Sequence, residues 1–267
     1  MKTAVRTLAV VAAAALAAPV LAEDLTVVFE TTGPGGPGTS TQYYSSERMR
    51  SADGEQETIF EYASGKIVSV DHKKKQYSET TLAEIEEAMK AATAQMEAAT
   101  AQMQQQMESM PAAMRERMQK MMGGAGGEVT LTRGGTKEVA GYATQQYTVT
   151  MGEGMTLQLW NTTDLQLPVP AADMKKLASF TGPMSTMANN PMFKGFAQLA
   201  EKMKEIEGFT LADHTSIKMM GRGMETSREA VEVRKGAIPA SEFDVANVAK
   251  GYKKVPSPLT QIGGKKK

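Results

Sequence analysis

The chain has 267 residues, no cysteine, and basic and acidic side chains in equal number, 30 of each. Zero cysteine excludes a disulfide-stapled scaffold, and the balanced charge argues against general nucleic-acid binding. At this length, with 41% hydrophobic residues, the chain can bury a real core.

The first 22 residues read as an export signal. Lys2 and Arg6 form its charged start, Leu8 to Leu16 its apolar middle, and Val20-Leu21-Ala22 a cleavage site. The apolar run is too short and too Ala-rich for a comfortable membrane span. Without cysteine there is no lipobox for lipid attachment. The expected mature chain starts at Glu23 and has 267 − 22 = 245 residues. Its charge is 28 − 30 = −2, because Lys2 and Arg6 leave with the signal. The expected compartment is the periplasm, with secretion the alternative, and the chain is expected not to span a membrane.

Leu25, Val27 and Phe29 alternate as in a half-buried strand. The Gly/Pro run 33–38 reads as a hairpin loop, and Thr41 to Arg50 as the next strand. Thr58 to Tyr62 and Lys66 to Asp71 are two short strands. Asp71 opens a turn in which its carboxylate can accept from the backbone, and Lys75 to Glu79 returns.

Thr81-Leu82-Ala83-Glu84 has capping-box form: a Thr hydroxyl can accept from the N3 amide while Glu84 reaches back to the cap amide. Two heptad seams follow, Leu82, Met89, Met96, Met103, Met110 and Ile85, Ala92, Ala99, Gln106. A helix from Thr81 to Ser109 would span roughly 44 Å. Pro111 predicts a break, and a second helix reaches Met122 before the glycines of 123–127 end it. The nine methionines from Met89 to Met122 admit three readings: a hydrophobic seam, an adaptable lid over a lipid-like ligand, or soft-metal binding. Heptad neighbours lie about 10 Å apart along the axis, too far to share an ion. Only Met107, Met110, Met114, Met118 and Met121 could converge on Cu(I).

Beyond this insertion, Val129 and Leu131 start a strand and Arg133-Gly134-Gly135-Thr136 reads as a turn. Tyr147 to Met151 and Met155 to Leu159 form a hairpin around Gly152-Glu153-Gly154, and Pro168-Val169-Pro170 stops the sheet. Helices are expected across 171–206: a short one over Ala171 to Ser179, then one opened by Asn190-Pro191 with the stripe Phe193, Phe196, Leu199, Ala200, Met203, Ile206. Strands follow at Phe209 to Asp213, Thr215 to Met220 and Met224 to Val233, with an extended piece near Phe243. Residues 263–267 form a basic tail.

The chain resembles a group of exported bacterial proteins of unknown function thought to share the open β-barrel of the outer-membrane lipoprotein carriers, the LolA-like superfamily. The residues that carry the likeness are Glu47-Arg48-Met49-Arg50, the Asp71 turn into Lys75-Gln76-Tyr77-Ser78-Glu79, and Met110-Pro111. To these add Gly141-Tyr142, Leu159-Trp160-Asn161-Thr162, Ile238-Pro239-Ala240-Ser241-Glu242-Phe243 and Gly251-Tyr252-Lys253. The resemblance implies one domain over 23–262, mainly antiparallel β with a helical insertion at 81–122. It implies an incompletely closed barrel with helices in or over its concave side, where characterised members of the superfamily carry lipids or lipoproteins. Ala246-Asn247-Val248-Ala249-Lys250 stands where a shorter link is expected, which leaves the pairing of the last strand open.

No catalytic constellation is legible. Asp213-His214-Thr215-Ser216 supplies nucleophile, base and acid by letter, but neighbours in a strand point to alternate faces. Two separate histidines and no cysteine make a poor zinc site. The expected protein is therefore a non-enzymatic binder or carrier of an apolar, lipid-like molecule, without cofactor. Met89, Met96, Met103, Met110, Phe193 and Phe196 are its candidate ligand-facing residues. The alternatives are an interaction protein acting through the Met-striped segment and a Met-based Cu(I) buffer.

Overall fold

Period-two alternation of apolar and polar residues recurs along most of this chain, and it produces strands. The computed structural model describes residues 23–92, 94–95, 128–152, 154–170, 172–173, 194–219 and 222–260. Among the described residues twelve strands form one sheet. They are β1 Leu25–Thr32, β2 Gly38–Tyr44, β3 Arg48–Ala52, β4 Gln56–Glu61, β5 Lys66–Asp71 and β6 Gln76–Thr81. The second half has β7 Val129–Val139, β8 Tyr142–Met151, β9 Met155–Thr162, β10 Phe209–Met219, β11 Arg222–Lys235 and β12 Lys253–Lys254. The spatial order is β12-β6-β5-β4-β3-β2-β1-β11-β10-β9-β8-β7. β12 runs parallel to β6 and every other neighbouring pair is antiparallel. The sheet does not close, so β7 and β12 are its end strands. It does curl: Lys137 of β7 reaches Glu229 of β11 at 2.6 Å across three intervening strands.

Several elements follow from local chemistry, and several depart from the sequence reading. The capping box forms as read: Thr81 N donates to Glu84 Oε2 at 2.8 Å and Glu84 N to Thr81 Oγ1 at 3.2 Å. It starts α1, helical from residue 82 through 92. Asp71 Oδ1 accepts from Lys74 N at 2.8 Å, closing the predicted turn. Thr41 to Arg50, read as one strand, is two. Ser45 Oγ accepts from Arg48 N at 3.0 Å and folds the chain between β2 and β3. Arg133 to Thr136, read as a turn, is a bulge inside the eleven-residue β7. The tight pair of glycines there bends the strand without ending it. The break expected at His214 is absent, and β10 runs through it.

Near Phe243 the expected extended piece is a 3₁₀ helix, Ala240–Phe243, followed by α3, Val245–Val248. Asp244 caps α3 by accepting from Ala246 N at 2.9 Å. The stretch 246–250 that departs from the resembled pattern thus folds as a helical turn and buries Ala249. It delivers Lys253 N to the Lys75 carbonyl and Val255 N to the Tyr77 carbonyl, which settles the last strand's pairing on β6.

Register separates two faces of the sheet, because residues directly opposite across a ladder share a face. One face carries Leu25, Tyr44, Met49, Phe60 and Ile67 in a single line from β1 to β5. On β7 and β8 the same face receives α2, Lys194–Met203, through Leu199, with Ile206 just beyond it. The opposite face of β2 to β6 receives the C-terminal segment. There Phe243 and Ala249 bury against Ile59, Val68 and Val70. Among the described residues no helix is long and apolar enough to cross a membrane. The signal segment, the helical insertion from residue 96 on, most of the expected short helix after 171, the Asn190-Pro191 start of the next helix, and the basic tail lie outside the described residues.

Candidate functional site

The helix-bearing face is built from one unusually continuous row. Val129, Met151, Met155, Ile217 and Met224 stand directly opposite one another across β7, β8, β9, β10 and β11. All five are apolar. Their cover fades along the row: Val129 and Met151 are each 7% exposed, Met155 and Ile217 are half-buried, and Met224 is 46% exposed. The reason is the footprint of the chain above. Among the described residues, Leu199 and Ile206 pack against Val129, Val149 and Met151, as do Met155 and Leu157, and that cluster does not include Ile217 or Met224. α2 itself leaves Met203 37% exposed. Met224 is therefore the exposed end of a row whose other end is buried under Leu199 and Ile206.

Moving along the strands by two residues gives the next rows on this face. Leu157, Thr215 and Thr226 are opposite each other, then Leu159, Asp213 and Arg228. Arg228 Nε donates to Asp213 Oδ2 at 2.7 Å, and its guanidinium lies 4.5 Å from the centre of the Phe29 ring. Tyr44, edge-on to Phe209 at 5.6 Å, joins the same buried cluster as Phe29. Burial pushes the Tyr44 phenol up to about 12, with the positive Arg228 pulling slightly the other way. Tyr62 is also fully buried, and its hydroxyl has no hydrogen-bond partner among the described residues. Burial, and then the neighbouring Tyr44 and Asp173, hold its pKa far above the usual phenol range.

β10 enters this face at Gly208, where the chain turns with φ +85°. A Cβ there would collide with the Thr162 carbonyl oxygen, so only glycine fits. Asn161 Nδ2 donates to the Glu207 carbonyl at 3.1 Å and fixes the approach.

The opposite face has a different character. Arg50 donates through Nε to Glu57 Oε2 at 2.8 Å and through Nη1 to the Glu242 carbonyl at 2.9 Å and carboxylate at 2.5 Å. Tyr43 lies beneath its guanidinium, 5.2 Å away. Burial works against the Arg50 charge, but the hydrogen bond and charge of Glu57, with Glu242, outweigh it and hold its pKa above the ordinary value. His72 Nε2 sits 2.9 Å from Glu57 Oε1, and Nδ1 sits 2.8 Å from the Tyr252 hydroxyl. A carboxylate only accepts, so in the neutral ring Nε2 carries the proton and Nδ1 accepts from Tyr252. His72 therefore ties β4 to the C-terminal segment. Beside this clasp a cleft of about 310 Å³ opens over Ile59, Val68, Phe243 and Val245. Its rim charges are mutually paired, Arg48 with Glu61 at 3.4 Å and Lys66 with Glu79 at 3.1 Å.

Of the sequence-predicted ligand residues, Met89 lies in α1 and is half-buried. Phe196 lies in α2, its side chain outside the described residues. Met96, Met103, Met110 and Phe193 lie outside the described residues, as do Met107, Met114, Met118 and Met121 of the copper alternative. Asp213 and Thr215 share the helix-bearing face while His214 and Ser216 alternate to the other, so the four do not converge. Sequence reasoning missed Ile217, Met224, Asp213 and Arg228 as a group. Their alternation was visible; the register that aligns them was not.

No family model matches the chain, and no curated protein matches it. Among solved structures it is similar to an uncharacterized conserved protein from Thermus thermophilus, with TM-score 0.40 and 8% identity over 89% of this chain and 92% of that one. It is also similar to a chain of the MucA/MucB complex of Pseudomonas aeruginosa, with TM-score 0.37 and 11% identity over 82% of this chain and 54% of that one. The chain thus spans about half the length of the latter. Both scores lie below 0.5.

Proposed function

We propose that this protein is a non-enzymatic exported binder, periplasmic in location, that holds an apolar, lipid-like ligand against the helix-bearing face of β9, β10 and β11. One observation supports the reading above all others: the row Val129–Met151–Met155–Ile217–Met224 continues as apolar surface beyond the helix that covers its first half. Fully burying a methionine side chain contributes about 1.5–3 kcal/mol, and Met224, 46% exposed, has about half of that still to gain from ligand cover. Methionine also adapts its shape to varied partners.

The test is native mass spectrometry of gently purified protein, followed by lipid extraction and titration with an apolar fluorescent probe. A bound apolar molecule, or probe binding that Met224→Asp weakens at least tenfold, is the expected outcome. Empty protein that ignores the probe would reject the reading. A concentration-dependent dimer broken by Met224→Asp would instead assign the surface to a second protein chain.

A further inference from the structure

We infer that the ligand is an anionic amphiphile, its head group held by Arg228 and its apolar chain running along β10 and β11 to Ile217 and Met224. This rests on the reading above and adds the chemistry and direction of the ligand. Arg228, Thr226 and Met224 alternate on the same face of β11, opposite Asp213, Thr215 and Ile217 of β10. Two residues along a strand advance roughly 6.6 Å, so the guanidinium row and the apolar row lie roughly 13 Å apart. Between them the face offers only two threonines on these two strands. The arrangement grades from charge to hydroxyl to hydrocarbon along one line.

Arg228 has unused capacity. A guanidinium carries five N–H donors. Among the described residues only Nε is spent within the protein, on Asp213. Phe29 beneath the guanidinium, 4.5 Å away, fixes the plane in which the remaining donors point. The side chain is 31% exposed, so an incoming anion can reach it. Strand alternation turns the adjacent Glu225 and Glu229 to the other face, where Lys137 holds Glu229. The shared head-group chemistry is a carboxylate or phosphate, which a guanidinium fork accepts in two parallel hydrogen bonds.

The experiment compares hexadecanoic acid with hexadecan-1-ol, two probes of equal chain length, by titration against the full chain. The acid is expected to bind roughly tenfold more tightly, about the factor one charge-assisted hydrogen bond supplies. Arg228→Gln combined with Asp213→Asn removes both charges without stranding either. That variant is expected to bind the alcohol as before and to lose the preference for the acid. Equal binding of both probes by the unaltered protein, or a preference that survives in the double variant, would overturn the head-group assignment and leave apolar binding standing. Binding of neither probe would overturn both.

Discussion

The two faces of this sheet solve the same problem differently. On β2 to β6, the chain returns to cover its own apolar residues. Phe243, Val245 and Val248 come down over Ile59, Val68 and Val70, and Arg50, Glu57, His72, Glu242 and Tyr252 lock them there. On β7 to β11, α2 covers only the first half of an equally apolar row and leaves Met224 exposed. A surface finished by the chain reads as stability. One left half-finished by the described residues, beside an arginine with spare donors, is the surface proposed to bind.

The largest expected effect lies on the finished face. Phe243→Ala removes a buried ring from the C-terminal lock and should lower unfolding stability by about 3–5 kcal/mol in urea titration. A loss below about 1 kcal/mol would mean the segment is a loose cover and would erase the contrast between the faces. Arg50→Met comes next. It leaves Glu57, 10% exposed, without its cation, and should cost about 3 kcal/mol. Adding Glu57→Gln should recover part of that loss; no recovery would show that packing on Tyr43, not charge, is what Arg50 supplies.

Tyr44 lies on the helix-bearing face, buried with Phe29, and it sharpens the comparison through pH. Its pKa is raised from 10.0 to about 12 by burial. The folded state therefore favours the neutral phenol. That contribution is whole below pH 10 and disappears as pH climbs through about 12. Two pKa units correspond to roughly 3 kcal/mol, to be read as a steep fall in stability across this window. Tyr44→Phe should flatten the fall; an unchanged slope would place its origin elsewhere. The smallest effect is expected on the unfinished face. Met224→Asp should change stability by no more than about 0.5 kcal/mol, while weakening apolar binding. A larger loss of stability would mean that Met224 is core and not contact surface.

Much of the fold was legible because its signals are local. Alternation placed most strands, the Thr81–Glu84 pair started α1, and Asp71 closed its turn. Local signals also misled where tertiary contacts override them. Gly134 and Gly135 look like a turn, yet ladder pairing on β8 carries the strand through them as a bulge. His214 looks like a break, yet pairing on both sides keeps β10 continuous. The stretches that carried the family resemblance were visible one by one. That Arg50, His72, Glu242 and Tyr252 meet in one clasp was not, because they are separated by up to 202 positions, from 50 to 252.

By itself, then, the sequence determined the class of fold, the strand faces and the local caps, since each depends on residues within a few positions of one another. Tertiary structure decided three further things: which rows align across the ladders, which of those rows the chain covers, and which charged groups find partners. These depend on register and on long-range closure, and no short stretch of this chain encodes either.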